Sequence, residues 1–366
     1  MNSFAEQVIE QLNFVQIPGG EFVMGTLWDE DHFNYLMHNY TVFVDWFIKE
    51  VPQRLLHLPT YDISEIPVTF AMLTSFLHET EYNVDHLPAI LRQNLMKEPG
   101  DFPAYPVTAP LAEAFCAWLN EHNSEYRFSL PTEPEWEKAA RGTDGREFPW
   151  GNEQQPPFIN IRGVGDGKVI AVRHTAKHES PYGLYDLAGN VEEMTSSFNA
   201  VYEGLPIQVP DYLRYRILRG GTAEHDLDLT RCARRHGKHP STFTGFRVVR
   251  KQAVPLLALE PQPFLLQQHD WVFASINKVT EHDVYMDLDR YGEGIVPIHQ
   301  FSEHDLKVFK RLHSRSEIIV QVVSMNDEQI ICRRPDMTEI CNMMCTLGFE
   351  HIQMGGFNDD NEQILG

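Results

Sequence analysis

The residues best suited to chemistry lie between Arg219 and Arg247, in the stretch RGGTAEHDLDLTRCARRHGKHPSTFTGFR. Its candidate metal-binding side chains are His225, Asp226, Asp228, His236 and His239. Imidazole nitrogens and carboxylate oxygens bind first-row transition metals, so the segment could hold a metal ion that supports an oxidation. A polar, solvent-exposed loop would have the same composition. Without a predicted helix to align the two histidines of RHGKHP, their spacing does not decide between these interpretations.

The cysteines form no recognisable redox or metal pattern. The chain contains Cys116, Cys232, Cys332, Cys341 and Cys345. Their odd number and uneven spacing argue against the disulfide framework of small secreted proteins. Cys341 and Cys345 lie one helical turn apart beside Met343 and Met344, which favours apolar packing over a metal or redox pair. We therefore expect reduced thiols and a cytoplasmic location.

The chain is strongly acidic, with 30 Lys and Arg against 52 Asp and Glu and a formal net charge of −22. This charge opposes general binding to a nucleic-acid backbone and suits a basic protein partner. Acidity that only keeps the protein soluble is the alternative. The sequence has no apolar run of about 18 residues and no basic leader followed by an apolar core, so we expect no membrane span. The oligomeric state is not predicted.

Short elements separated by long loops are predicted for the first 250 residues. FVQIPGGEFVMG predicts a hairpin around Pro18, Gly19 and Gly20. YDISEIPVTF predicts a strand that leads into the helix AMLTSFLHET, and PLAEAFCAWL predicts a second helix. Thr132 followed by Glu135 is a capping-box pattern that opens a further helix.

The sequence pattern changes after residue 250. KQAVPLLALEPQPFLLQQHD has three prolines and no regular period, which indicates a linker. WVFASINKV, DVYMDLD, EGIVPIH and IIVQVVSM alternate as strands do and predict a small β-barrel. The predicted organisation is a first domain over residues 1–250, a linker over 251–269, a barrel over 270–335, and a helix with a polar tail over 336–366.

Several phrases of the first domain occur in the order typical of one protein family. They are FVQIPGGEFVMGT, YDISEIPVTFAMLTSFL, YRFSLPTEPEWEKAARG, FPWGNE, PYGLYDLAGNVEEMTSSF, ILRGGT and TGFRVVR. The region from Phe14 to Arg250 therefore resembles formylglycine-generating-enzyme-like domains, also called sulfatase-modifying-factor domains. This resemblance implies an α+β fold of the C-type-lectin type, rich in loops, with short twisted β-sheets and two main helices.

The resemblance also implies a reaction centre that this chain lacks. Family members that make formylglycine resemble one another in holding copper(I) with two cysteines shortly after an RGGS phrase. Here no cysteine occurs from Gly221 to Arg231, and Cys232 matches a structural phrase of the family, so no copper is expected. His225 stands close to the place of the first of those cysteines.

Other departures from the family pattern point the same way. Glu192 and Met194 stand where the family usually has tryptophans, and Ala109 replaces a usual aromatic residue. A branch of the family that makes sulfoxides binds iron through a separate helical domain, and we expect no such domain before Phe14. Four arginines are predicted to hold the loops together by multidentate pairing: Arg219, Arg231, Arg234 and Arg247.

Domains of this family often hold structural calcium through loop oxygens. The positions that match are Asn160, Ile161 and Asp166 for one site, and Asn190, Val191 and Glu193 for a second. In the alternative, Asn190 follows Gly189 in a turn and satisfies only loop backbone groups. Calcium is therefore an expectation that follows from the resemblance.

The second domain is similar to the S1-type OB-fold of ribosomal proteins, in which phrases like DVYMDLD and GEGIVPIHQFS follow one another. This likeness places Tyr285 and His299 where an aromatic ring and a histidine stack on single-stranded bases. A barrel that docks onto protein is the alternative, and the acidic local charge favours it.

These features predict a catalytically degenerate formylglycine-generating-enzyme-like protein that binds a protein partner. Domains that look like this also serve in bacteria as immunity or conflict-system proteins, so the partner could be a toxin. Two alternatives stay open. One is a metal-dependent oxidase with a replaced centre around His225, and the other is an RNA-associated protein that acts through the S1-like domain.

Overall fold

The computed structural model describes residues 3–40, 43–154, 159–174, 180–210, 212–237, 242–252, 266–311, 316–326 and 329–346. His239, most of the predicted linker and the polar tail from residue 347 lie outside the described residues. Within the described part, no helix is both long enough and apolar enough to span a membrane.

Helices and strands are mixed along the chain, as the α+β prediction required. The helices of the described residues are α1 (Phe4–Leu12), α2 (Glu30–Asn39), α3 (Val44–Ile48), α4 (Phe70–Glu79), α5 (Ala89–Lys97), α6 (Ala109–Glu121), α7 (Glu133–Arg141), α8 (Glu303–Arg311) and α9 (Met337–Thr346). Their strands are β1 (Phe14–Ile17), β2 (Gly20–Met24), β3 (Arg54–Leu58), β4 (Tyr61–Ser64), β5 (Tyr126–Ser129), β6 (Glu192–Phe198), β7 (Ile207–Gln208), β8 (Arg216–Arg219), β9 (Thr244–Phe246), β10 (Val249–Gln252), β11 (Trp271–Val279), β12 (Asp283–Asp287), β13 (Glu293–Pro297), β14 (Glu317–Met325) and β15 (Ile330–Arg333).

Small sheets shape the first domain. One has the antiparallel order β1-β4-β10-β5, another pairs β2 with β3, and a third has the order β8-β6-β9. The predicted helices α4 and α6 pack together with α1 through an apolar core that contains Phe76, Phe115 and Trp118. The fold therefore has the short sheets, long loops and two main helices that the family resemblance implies.

The two strands around Pro18 and Gly20 exist, but they do not pair with each other. β1 pairs with β4, and β2 pairs with β3, so the predicted hairpin is wrong. Nζ of the buried Lys138 donates hydrogen bonds to the carbonyl oxygens of Pro18 and Gly20, at 2.8 and 2.9 Å. Because a lysine from α7 satisfies these backbone groups, the chain can leave one sheet and enter another.

Helix α7 begins as its sequence predicts. Oγ1 of Thr132 accepts a hydrogen bond from the backbone N–H of Glu135, and Oε2 of Glu135 accepts one from the N–H of Thr132 at 2.8 Å. Gly142 ends the helix with a φ of 73°. This capping fixes the helix so that Glu133 and Glu137 point at buried arginines of the first domain.

Residues 271–333 form a closed five-stranded barrel, which confirms the predicted strands. The hydrogen-bonded order is β11-β12-β13-β15-β14 and back to β11, with β13 and β15 parallel. Helix α8 follows β13 in sequence. The buried apolar side chains of the barrel include Val272, Val284, Val296, Ile318 and Val320.

The barrel shares its apolar core with the first domain. Ile207 of β7 pairs in parallel with Trp271 and so extends the barrel sheet. Helix α3 lies against β14, where Nε1 of Trp46 donates to the carbonyl oxygen of Glu317 at 2.9 Å. Helix α9 contributes Ile340 to the same region. The sequence left open whether the two parts touch, and the structure packs them together.

Candidate functional site

The loop that follows β8 carries the residues predicted to do chemistry. It begins with Gly220 and Gly221, whose φ angles are 91° and 70°. A Cβ on Gly220 would lie 2.8 Å from the carbonyl oxygen of Leu187, so glycine is required for this close approach. The loop then turns back, because the N–H of His225 donates to the carbonyl oxygen of Thr222 at 3.0 Å.

Asp228 is buried and fully engaged by two arginines. Its Oδ1 accepts hydrogen bonds from Nε and Nη2 of Arg231 at 2.9 and 2.8 Å, and its Oδ2 accepts one from Nε of Arg234 at 2.7 Å. Burial alone would raise the pKa of Asp228, but the two guanidiniums outweigh it and hold the pKa below its ordinary value. Asp228 therefore stabilises the loop. Its carboxylate oxygens are occupied by the two guanidiniums and are not available as metal ligands.

Asp226 is not gathered with the other candidates into one site. Its Oδ1 lies 3.8 Å from Nη1 of Arg162. In the part of the chain that the structure describes, no group of three or more His, Cys, Asp or Glu side chains could hold a metal ion.

His225 lies beside His236 instead. Their ring centroids are 5.8 Å apart and the ring planes are perpendicular. Nδ1 of His236 lies 2.8 Å from Oε2 of the buried Glu192, and Oγ1 of Thr244 donates to Oε1 of the same carboxylate at 2.9 Å. The carboxylate therefore orients His236 next to His225.

The imidazole of His225 is neutral at pH 7. Its pKa is lowered to about 4, mainly by desolvation; Glu192 opposes this shift, and His236 and two arginines add to it. Nδ1 of His225 is buried and has no hydrogen-bond partner among the described residues. The sequence indicated Glu192 only as a residue that stands where the family usually has tryptophan, and no local pattern pointed to its contact with His236.

Cys232 belongs to the core and not to a reactive site. It is completely buried, and burial raises the pKa of its thiol to about 12, so the thiolate is absent at neutral pH. Its carbonyl oxygen accepts a hydrogen bond from Nη2 of Arg219, which also pairs with Glu133 and Glu137.

The predicted scaffold arginines all lie in the interior. Arg231 makes a bidentate pair with Glu50, at 2.8 Å for both Nη1 to Oε2 and Nη2 to Oε1. Arg247 donates through Nε and Nη2 to the two oxygens of Glu193, each at 2.5 Å. These pairs fix the loops to α7, β6 and the residues after α3.

The proposed calcium ligands satisfy one another or other protein groups. Nδ2 of Asn160 donates to Oδ1 of Asn190 at 3.0 Å, and the same Oδ1 accepts the N–H of Ile170 at 2.9 Å. Both asparagines are buried. In this arrangement the two amides link two loops, and Asn190 bonds a side chain as well as the loop backbone.

Among the described residues, no contact brings the remaining proposed calcium ligands together around one site. Both oxygens of Glu193 are occupied by Arg247, and Oε2 also accepts from Nε1 of Trp136 at 2.6 Å. Ile161 and Val191 are buried, whereas Asp166 is exposed. This donor set does not fit a calcium ion without breaking these contacts, so calcium remains a prediction for experiment.

Tyr285 and His299 lie on the outside of the barrel. Tyr285 is half-buried on β12, with Nζ of Lys278 at 5.8 Å from its ring centroid, and His299 is exposed in the 3₁₀ turn Ile298–Gln300. Asp283 and Asp287 lie two residues to either side of Tyr285 in the same strand, and therefore on the same face. The surface around the ring therefore carries two carboxylates and one lysine.

A cleft of about 330 Å³ opens beside the loop after β8. Its walls are formed by Arg162, Gly163, Gly165, Gly167, Ala223 and Glu224. The two sides are tied together, because the N–H of Arg162 donates to the carbonyl oxygen of His225 at 3.0 Å. The cleft therefore lies directly against the segment that carries His225.

Comparison with known proteins identifies a matching family and several relatives. Residues 3–252 match the family described as "Sulfatase-modifying factor enzyme 1-like domain". The chain is 30% identical over 237 residues to "Inactive C-alpha-formylglycine-generating enzyme 2" of Bos taurus, which covers 51% of this chain and 71% of the bovine protein. It is 26% identical over 276 residues to "Hercynine oxygenase" of Mycolicibacterium smegmatis, which covers 64% of this chain and 60% of that protein.

Among solved structures, PvdO from Pseudomonas aeruginosa is similar with a TM-score of 0.52 and 22% identity. The match covers 65% of this chain and 94% of PvdO. At this identity the likeness concerns the fold alone.

Proposed function

Because this chain belongs to the sulfatase-modifying factor enzyme 1-like domain family, we propose that it is a catalytically inactive member that works by binding a protein partner. The observation that carries this proposal is the state of the loop after β8. It has no cysteine from Gly221 to Arg231, and Cys232 is a buried, protonated thiol. Copper(I) requires accessible soft thiolates, which this loop does not supply.

A protein partner of basic character fits the rest of the molecule. Buried arginine–carboxylate pairs make the first domain a rigid scaffold that presents long loops, which is how many recognition surfaces are built. The net charge of −22 would accelerate encounter with a basic protein. We propose an immunity or conflict-system role in the cytoplasm, with a toxin as the class of partner.

The first arm of the test measures catalysis. The purified chain is incubated with copper(I), dioxygen and a cysteine-containing peptide, and the peptide is analysed by mass spectrometry. We expect no turnover. Repeated oxidation of the peptide by the same protein molecules would overturn the proposal that the chain is inactive.

The second arm measures binding. A protein captured from the native host is purified separately, and its complex with this chain is reconstituted and titrated by calorimetry at several salt concentrations. We expect a fixed stoichiometry and an association rate that falls with ionic strength. A captured protein that fails to bind when purified, or binding that does not depend on salt, counts against a charge-steered partner.

The pair of His225 and His236 supports a second candidate, a metal-dependent protein with a replaced centre. In the part of the chain that the structure describes, the buried Nδ1 of His225 has no partner, and Glu192 orients His236 as carboxylates orient metal-binding histidines. Bound iron or copper would supply redox chemistry there. Stoichiometric metal after chelation and reloading, lost in His225→Ala, would favour this candidate, and its absence would exclude it.

The barrel supports a third candidate, binding of single-stranded RNA through an S1-like OB-fold. The strand order and the accessible Tyr285 and His299 favour it, and the neighbouring Asp283 and Asp287 oppose it. Fluorescence anisotropy with poly(U) measures this binding. Binding that persists in the double variant Tyr285→Ala, His299→Ala would remove the proposed mechanism.

A further inference from the structure

The cleft between Arg162 and Glu224 is lined by residues that carry hydrogen-bond donors. Within the described residues, the backbone N–H groups of Gly163 and Gly167 donate to no acceptor. The side chain of Arg162 is 48% exposed, and its pairing with Asp226 is long, at 3.8 Å. Two glycines with such amides and the partly exposed Arg162 therefore line one small space.

The backbone that presents these donors is held in place. A Cβ on Gly165 would lie 2.2 Å from Oδ1 of Asn160, so the loop packs closely on that buried side chain. Asn160 is in turn bonded to Asn190 and, through Nδ2, to the carbonyl oxygen of Lys168 at 2.7 Å. The cleft is thus preorganised, which lowers the entropic cost of binding.

Glycine leaves the cleft open on this side. Gly163 and Gly167 have φ angles of 81° and 75°, and no atom lies within 4 Å of the Cβ that another residue would add at either position. Backbone N–H groups in turns can form concave sites that bind anions. A larger side chain at Gly167 would stand in the open space beside those donors.

We propose that this cleft binds a carboxylate of a peptide segment, either an Asp or Glu side chain or a C-terminus, through Arg162 and the amides of Gly163 and Gly167. Guanidinium and backbone N–H groups are the donors that recognise carboxylates in proteins. The volume of about 330 Å³ lies in the range of small ligand sites. The inference rests on the proposed function, since it names where and how a protein partner would be held.

Glu224 on the opposite wall narrows the ligand class. Its exposed carboxylate repels multiply charged anions such as free phosphate and attracts a basic side chain next to the bound carboxylate. A single carboxylate within a basic segment satisfies both walls. Such a segment is also compatible with the net charge of −22 on the whole chain.

The test uses the full chain and a phage-displayed library of random peptides. Peptides are selected on the unaltered protein and synthesised, and their affinity is measured by fluorescence anisotropy for the unaltered protein, Arg162→Gln, Gly167→Gln and Gly145→Gln. Gly145 is the matched control, because it also has a φ of 75° with open space around the added Cβ but does not line the cleft.

We expect Gly145→Gln to bind like the unaltered protein, and Arg162→Gln and Gly167→Gln to bind roughly tenfold more weakly or worse. Peptides with Asp changed to Asn or Glu to Gln, and peptides with an amidated C-terminus, show which carboxylate is bound. Equal binding by all four proteins, or selection of no peptide whose binding depends on a carboxylate, overturns the proposal.

Failure of the proposed carboxylate site can be distinguished from failure of the proposed binding function. A reconstituted partner that binds Gly167→Gln as well as the unaltered protein leaves the binding function standing and moves its site elsewhere. Catalytic oxidation of a thiol peptide removes the inactive assignment, whatever the cleft binds.

Discussion

Nζ of Lys49 donates a hydrogen bond to Oε2 of Glu317 at 2.6 Å, and each side chain is only 5% exposed. Lys49 follows α3 in the first domain, whereas Glu317 begins β14 of the barrel. Burial lowers the pKa of Lys49, and the charge of Glu317 opposes that shift. A buried charge is costly unless it is paired. Any other position of the barrel would separate Lys49 from Glu317, so this contact favours one arrangement of the barrel on the first domain.

Asp45→Asn should strongly destabilise the protein. Asp45 is buried and accepts hydrogen bonds from Nη1 and Nη2 of Arg334, at 2.5 and 2.7 Å, and from the N–H of Ile319 at 2.6 Å. The substitution leaves a buried guanidinium without its main counter-charge, so the free energy of unfolding should fall by about 3 to 5 kcal/mol. Urea unfolding followed by circular dichroism measures the change.

Asp85→Asn is the matched control for this substitution. Asp85 pairs with Arg92 at 3.3 Å on the surface, where an ion pair contributes at most about 1 kcal/mol. Equal losses at the two positions would show that the buried pair does not hold the barrel.

The barrel and the first domain should unfold in one transition. The two parts share the β7–β11 pairing and the apolar contacts around α3 and α9. Unfolding of one part therefore removes a portion of the core of the other. Hydrogen exchange across increasing urea, read by mass spectrometry, should give the same opening free energy for the most protected amides of β14 and β6. Exchange of β14 at clearly lower urea would reveal an independently unfolding barrel.

His225 should make the protein less stable at acidic pH. Its folded-state pKa of about 4 lies below the ordinary value of 6.5. Between these two pH values the unfolded chain is protonated at His225 and the folded chain is not. Between these values stability falls as pH falls, by on the order of 3 kcal/mol in total. Urea unfolding at several pH values measures this dependence.

Comparison with His225→Gln isolates the contribution of His225. In this variant the free energy of unfolding should depend less on pH. His57→Gln serves as the control, since His57 is exposed on β3. If both variants keep the full pH dependence of the unaltered protein, His225 does not titrate as its burial requires.

Asn190→Ala should destabilise the protein in the same way with and without calcium. The change removes the acceptor of Asn160 and Ile170, and an unsatisfied buried donor costs roughly 1 to 3 kcal/mol. Thermal unfolding with excess calcium and with a chelator measures both effects. A rise in Tm with calcium that Asn190→Ala abolishes would restore the calcium site that the family resemblance implies.

Local features of this protein were readable from its sequence. The capping box of Thr132 and Glu135, the alternation of β11 to β14 and the absence of cysteine between Gly221 and Arg231 each depend on residues close together in the chain. Hydrogen bonds at a helix start and the two-residue repeat of a strand are set by near neighbours, so pattern alone predicts them. The family likeness and its fold follow from the same short phrases.

Only the tertiary structure decided which distant residues meet. Lys138 replaces the expected hairpin pairing at Pro18, Glu192 brings His236 beside His225, and Arg334 reaches Asp45 across 289 positions of sequence. No local pattern encodes these partners, because the choice of partner for a buried charge depends on how whole elements pack. The sequence therefore determined several local elements and the absence of the cysteine pair, while packing determined the paired charges, the position of the barrel on the first domain and the open cleft.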